Sequence, residues 1–106
     1  MPTYVVLYRF TDEGAKSARD TVKRANENTA DNTARGFKVL NLLWTQGQYD
    51  LVAVVEAPNE AAMMAGLLNV SGAGHVRSET LRAFTAEEME AIIADPSFPA
   101  DRPRAI

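Results

Sequence analysis

Residues Thr3–Phe10 are an unbroken run of β-branched and aromatic side chains, which predicts a first strand. Thr11 follows as a helix N-cap, with Asp12 and Glu13 placed for the first turn. Ala15, Ala18, Val22, Ala25 and Thr29 recur at helical spacing. This thin stripe of small residues predicts a helix lying close on a sheet, broken near Asp20–Thr21. The Asn and Thr residues of 26–33 weaken its helix propensity, and Gly36 stops it. Residues 37–45 and 49–57 read as two strands of a hairpin turning at Gln46–Gly47, with Gly47 at positive φ. That loop pairs Trp44 with Tyr49, Leu42 with Leu51 and Leu40 with Ala53. Pro58–Asn59–Glu60 opens a second helix through about Leu68, and Asn69–Gly74 reads as the loop that closes it. Residues 75–84 read as a fourth strand. Thr85–Glu88 is a capping box for a short helix reaching Ala94. Residues 1–94 thus form one domain, and 95–106 a tail with Pro96, Pro99 and Pro103, extended and anchored through Phe98.

The order β-α-β-β-α-β plus a terminal helix predicts an α+β, ferredoxin-like fold, a four-stranded antiparallel sheet of order 4-1-3-2. Strands 1 and 3 are expected as the central pair, set parallel by the crossover, with strands 2 and 4 as antiparallel edges. Right-handed crossovers put both helices on one face. The central strands are apolar on both faces: Val5 and Leu7 against Tyr4, Val6, Tyr8 and Phe10, and Leu51, Ala53 and Val55 against Val52 and Val54. The uncovered face needs a partner, and a second copy of the chain is the simplest one. The alternative cover is the last helix and tail.

Composition narrows the chemistry. The chain has 106 residues, no cysteine, one histidine and a net charge of −3. The acidic balance disfavours nucleic acid. Without cysteine there is no disulfide framework, thiolate catalysis or thiolate metal site. No apolar run is long enough for a membrane span, and no signal peptide is evident, so the expected compartment is the cytoplasm. Neither a cofactor motif nor a metal set is present, so neither is expected; phosphate loops, dinucleotide fingerprints and nucleophile elbows are missing.

Four blocks in order resemble a known family: residues 1–7, the run Thr11–Lys16, the hairpin Trp44–Asp50 containing GQYD, and Val76–Thr85. They are similar to the bacterial GYD domain family over about residues 1–94. The Asn-rich first helix departs from its usual pattern. The resemblance implies kinship with dimeric α+β-barrel proteins, hence the ferredoxin-like fold and pairing through open sheet faces. It implies no reaction and no catalytic residues.

His75, at the entry to strand 4, is the one candidate general base, set against a plain loop-end role. Arg9 placed opposite Arg77 puts Leu7 by Glu79, so Arg9, Arg77 and Glu79 share a face near a sheet end. Two guanidiniums there suit a carboxylate or phosphate, while a cross-strand charge network needs no ligand. Asp50, Asn41 and Glu56 share a hairpin face, where Asp50 more simply fixes the turn. Tyr4, Tyr8, Phe10, Thr80 and Arg82, with Ser78, are assigned to the open face as an oligomer interface. Met63, Met64, Leu67 and Leu68 are assigned to core or interface. The expected function is a small homo-oligomer binding a small anionic molecule in a cleft between sheet and helices. The alternatives are a cofactor-free enzyme using His75 or a carboxylate, and a structural or regulatory interaction module.

Overall fold

A computed structural model describes residues 1–99. Its elements are β1 (Thr3–Phe10), α1 (Asp12–Lys16), a 3-10 turn (Ala18–Asp20), α2 (Thr21–Ala34), β2 (Lys38–Trp44), β3 (Leu51–Glu56), α3 (Glu60–Ala73), β4 (Val76–Ala83) and α4 (Ala86–Ile93). The sheet order is β2-β3-β1-β4, which is the ferredoxin-like arrangement.

Local chemistry sets these boundaries. The Thr11 side chain accepts from the Gly14 N–H, and the first helix breaks at Ser17, ahead of the expected Asp20–Thr21, where the 3-10 turn ends and α2 begins. The Asn59 side chain caps α3. Helix α3 runs five residues past Leu68, because Asn69–Ala73 hold the helix until Gly74 adopts φ 83° and ends it. Thr85 and Glu88 form the predicted reciprocal capping box on α4. Pro103 lies outside the described residues, and Phe98 is exposed rather than anchored.

Two pairings differ from expectation. The central pair β1/β3 is antiparallel, not parallel. The crossover from β1 passes over β3 and lands on β2, so the strand parallel to β1 is β2, one position away. In the hairpin, Trp44 faces Leu51, Leu42 faces Ala53, and a bulge falls between Val39 and Asn41. The connection is therefore the longer Thr45–Asp50 segment, closed by Thr45 N–H donating to Asp50 O at 2.9 Å. The register moves by two residues up to the bulge. An even shift leaves each side chain on its face, which is why the core pattern survives it. The β1/β4 register agrees with expectation: Arg9 opposite Arg77, Leu7 opposite Glu79, Val5 opposite Leu81.

The larger correction concerns which face is covered. Tyr4, Val6, Ala53 and Val55 pack with Phe37, Ala57 and Met63 in the buried core, beneath α3. Tyr8 packs against that cluster. Thr80, Ser78 and Arg82 face Val6, Tyr8 and Tyr4 across the ladder, and Val76 faces Phe10, so all these positions share the helix-covered side. The face assigned as open is thus the inner one. Tyr4 is buried in the core, Tyr8 is half-buried against it, and Phe10 lies on the same inner side. The open face carries Val5, Leu7, Val52 and Val54, half-buried, and Leu43 and Leu81, exposed. Met89, Ile92 and Ile93 of α4 are exposed as well.

Candidate functional site

Between α2, α3 and the sheet lies a cleft of about 430 Å³. Its floor is apolar: Tyr8, Phe10, Leu42, Leu51, Ala53 and Val55 among others. Burial of the Tyr8 phenol pushes its pKa above the ordinary phenol value. The α3 side contributes Asn69, Val70 and Ala73.

The α2 wall is polar. Thr21, Arg24, Ala25, Asn28, Thr29 and Asn32 are the half-buried residues of its first three turns, and all six border the cleft. Ala25 and Thr29 belong to the stripe predicted from sequence. Val22, also in that stripe, is 52% exposed. The helix is rotated relative to the expectation and turns its Asn residues inward. Three bonds hold this rotation: Trp44 Nε1 donates to Thr21 Oγ1 at 3.0 Å, and Arg24 Nη1 donates to Ser17 O at 2.9 Å and Ser17 Oγ at 3.2 Å. Asn32 Nδ2 donates to Asn28 Oδ1 at 3.0 Å.

His75 borders this cleft and an adjoining small polar notch that Ser17, Asp20, Lys23, Arg24 and Glu27 also line. Its backbone is fixed by α1. Thr11 N–H donates to His75 O at 3.0 Å, and Thr11 Oγ1 donates to Gly74 O at 2.6 Å. Gly14 packs so closely that a Cβ there would lie 1.9 Å from His75 O. Arg24, Asn28 and Asn32 are the site residues that sequence reasoning missed. The available signal was their i, i+4, i+8 spacing inside a stretch read only as weak helix.

The second constellation lies on the other face of the sheet. Arg9 Nε donates to Gln48 O at 3.2 Å, and its guanidinium stacks over Tyr49 with 4.9 Å to the ring centroid. Tyr49 OH donates to Glu79 Oε2 at 2.5 Å. Arg77 Nη1 donates to Ser71 O and Val76 O. Register brings Arg9, Arg77 and Glu79 to one sheet end, yet each has its own partner within the chain. Tyr49, expected opposite Trp44, is the residue that links Arg9 to Glu79. Asp50 fixes the hairpin loop to β1, its Oδ2 accepting the Phe10 N–H at 2.8 Å. Arg82 stacks over Phe84 at 4.5 Å and bonds Thr3 O at 3.2 Å, tying the end of β4 to β1. Among the described residues no cluster of three or more metal-ligating side chains occurs, and no helix is long and apolar enough to cross a membrane.

The family model of the GYD domain matches residues 4–93, and the chain belongs to this family. The four residues Gly47–Asp50 sit in the docked hairpin loop just described. A Thermus thermophilus protein named glutamine synthetase and cystathionine beta-lyase binding protein is 33% identical over 90 residues, covering 84% of this chain and 95% of that one. No solved structure matches the chain.

Proposed function

We propose that this GYD-domain chain is a homo-oligomeric binding protein that takes a small anionic molecule in the cleft between α2, α3 and the sheet. The observation that carries the reading is the cleft itself, with an apolar floor and a wall holding the half-buried Arg24 and His75 beside the exposed Glu27 and Asp31. Ligand sites are characteristically concave and largely apolar, with a few convergent polar groups. Arg9, Arg77 and Glu79 lie on the opposite face and line neither the cleft nor the notch beside it, so the anion is assigned to the cleft instead. Self-association uses the open face, where Val5, Leu7, Leu43, Val52, Val54 and Leu81 form a contiguous apolar surface. The cytoplasm is the compartment assigned to it.

Native mass spectrometry of protein purified from cells tests both parts. The expected result is a multiple of the 11.6 kDa chain mass with a retained small molecule. A bare 11.6 kDa species at micromolar concentration overturns the reading.

A second reading is a protein-interaction module, favoured by the printed name of the Thermus relative. It assigns metabolic enzymes such as glutamine synthetase and cystathionine β-lyase as partners. Co-sedimentation with either purified enzyme supports it, and independent sedimentation of all components counts against it.

A further inference from the structure

Helix α2 is polar on its inner side as well as on its exposed side, which carries Lys23, Asn26, Glu27 and Asp31. A helix covering a sheet buries its apolar stripe and turns charged and amide side chains outward. Here Arg24, Asn28 and Asn32 point their half-buried face at the cleft, while Val22 is 52% exposed. Beneath them the sheet offers Leu42, Leu51, Ala53 and Val55, which contribute nothing that hydrogen-bonds through a side chain. Such a mismatch between local pattern and fold is expected at functional sites.

The polar groups are also held in place. Arg24 is pinned through Nη1 to Ser17. A guanidinium has five N–H donors, so Nε–H and the Nη2 protons remain for a planar acceptor. Asn28 and Asn32 are joined to each other, which orders both amides. Glu27 and Asp31 also line the cleft; both are exposed, so water screens their charge more than that of the half-buried Arg24.

We infer that the cleft binds a small monocarboxylic acid with an apolar body. The body lies on the floor formed by Tyr8, Leu42, Leu51 and Val55. The carboxylate meets Arg24, with an amide donor from Asn28 one turn further along; Asn32, about 12 Å from Arg24 along the helix axis, orders the Asn28 amide through their hydrogen bond. A volume of about 430 Å³ suits a ligand of modest size, near the low end of ordinary sites at roughly 300–1,000 Å³. This inference rests on the cleft reading above and specifies its ligand class.

The test titrates hexanoate and hexan-1-ol, which share an apolar body and differ in the head group, into isotopically labelled protein. Amide chemical shifts of Leu51, Ala53 and Val55 report occupancy of the floor. Hexanoate is expected to move these signals with at least tenfold higher affinity than hexan-1-ol. Arg24→Gln is expected to remove most of that difference, and Asn28→Ala to reduce it by a smaller factor. Equal affinity for the two probes, or a hexanoate preference unchanged in Arg24→Gln, overturns the carboxylate assignment while leaving the cleft as a site. No floor shift with either probe overturns the cleft reading together with the inference. If Arg24→Gln does not fold, the two-probe comparison on the native chain decides alone.

Discussion

Asp50 Oδ2 accepts a hydrogen bond from the backbone N–H of Phe10 at 2.8 Å, although the two residues are 40 positions apart. Asp50 N–H in turn donates to Tyr8 O at 2.8 Å. The hairpin loop thereby extends the β1/β3 ladder beyond Leu51, using a side chain where backbone pairing ends. Asp50→Ala leaves a half-buried N–H without its acceptor. The expected destabilisation is about 1–3 kcal/mol, read from the urea midpoint at constant m. Asp50→Asn keeps an acceptor oxygen and should lose less; equal losses in the two variants would show that the bond itself is not what matters.

Gly14 sits against the carbonyl that receives the Thr11 N–H. A Cβ at 1.9 Å from His75 O cannot be accommodated without moving one backbone from the other. Gly14→Ala is therefore expected to destabilise by about 1–3 kcal/mol through overpacking, despite the usual helix preference for alanine. Amide shifts should move at Gly74–Val76 as well as around position 14. A melting temperature at or above that of the native chain would refute this contact.

Tyr49 supplies a pH signature. Its hydroxyl bonds Glu79, and this bond raises the phenol pKa above its ordinary value, with desolvation and the Glu79 charge adding to it and Arg9 opposing. A raised folded-state pKa contributes stability that is complete below the unfolded phenol pKa, about 10, and is lost as pH rises through the folded value. The check is an ultraviolet-absorbance titration of the native chain and Glu79→Gln. One phenol should titrate at lower pH in the variant. Superimposable curves would remove the bond as the cause.

Much of the fold was legible in the sequence because the signals are local. Thr11, Asn59 and Thr85 cap helices where they stand, and strand order follows from element order through crossover handedness. The β1/β4 register agrees with the one placed from sequence, Arg9 opposite Arg77, although like charges face each other there. The hairpin register does not, because Gln46–Gly47 satisfies a two-residue turn by composition. The bonds that lengthen the loop come from Tyr8 and Phe10 of a distant strand. The covered face was misread because both faces of β1 are apolar, and only helix packing decides between them. The cleft was expected between sheet and helices, but its polar wall was not. Arg24 and the two Asn residues turn inward through the Ser17 and Trp44 bonds, and sequence spacing does not report those contacts.

Gly47 and Gly72 make a paired prediction in which space is equal and backbone conformation differs. A Cβ at either position meets nothing within 4 Å, so neither substitution clashes. Gly47 has φ 112°, in the region that L side chains avoid. Gly72 lies within α3, outside the positive-φ set, where alanine is the better helix former. Gly47→Val should therefore destabilise by about 1–2 kcal/mol through left-handed strain. Gly72→Ala should instead stabilise by roughly 0.5–1 kcal/mol. Thermal melts of the two variants beside the native chain are expected to bracket it, Gly47→Val below and Gly72→Ala above. If Gly47→Val melts with the native chain, the loop has another conformation open to it, and the docking of Tyr49 and Asp50 onto β1 does not depend on that turn. If Gly72→Ala melts lower, the last turn of α3 is not helical in solution, and the α3 side of the cleft at Asn69–Ala73 loses its support.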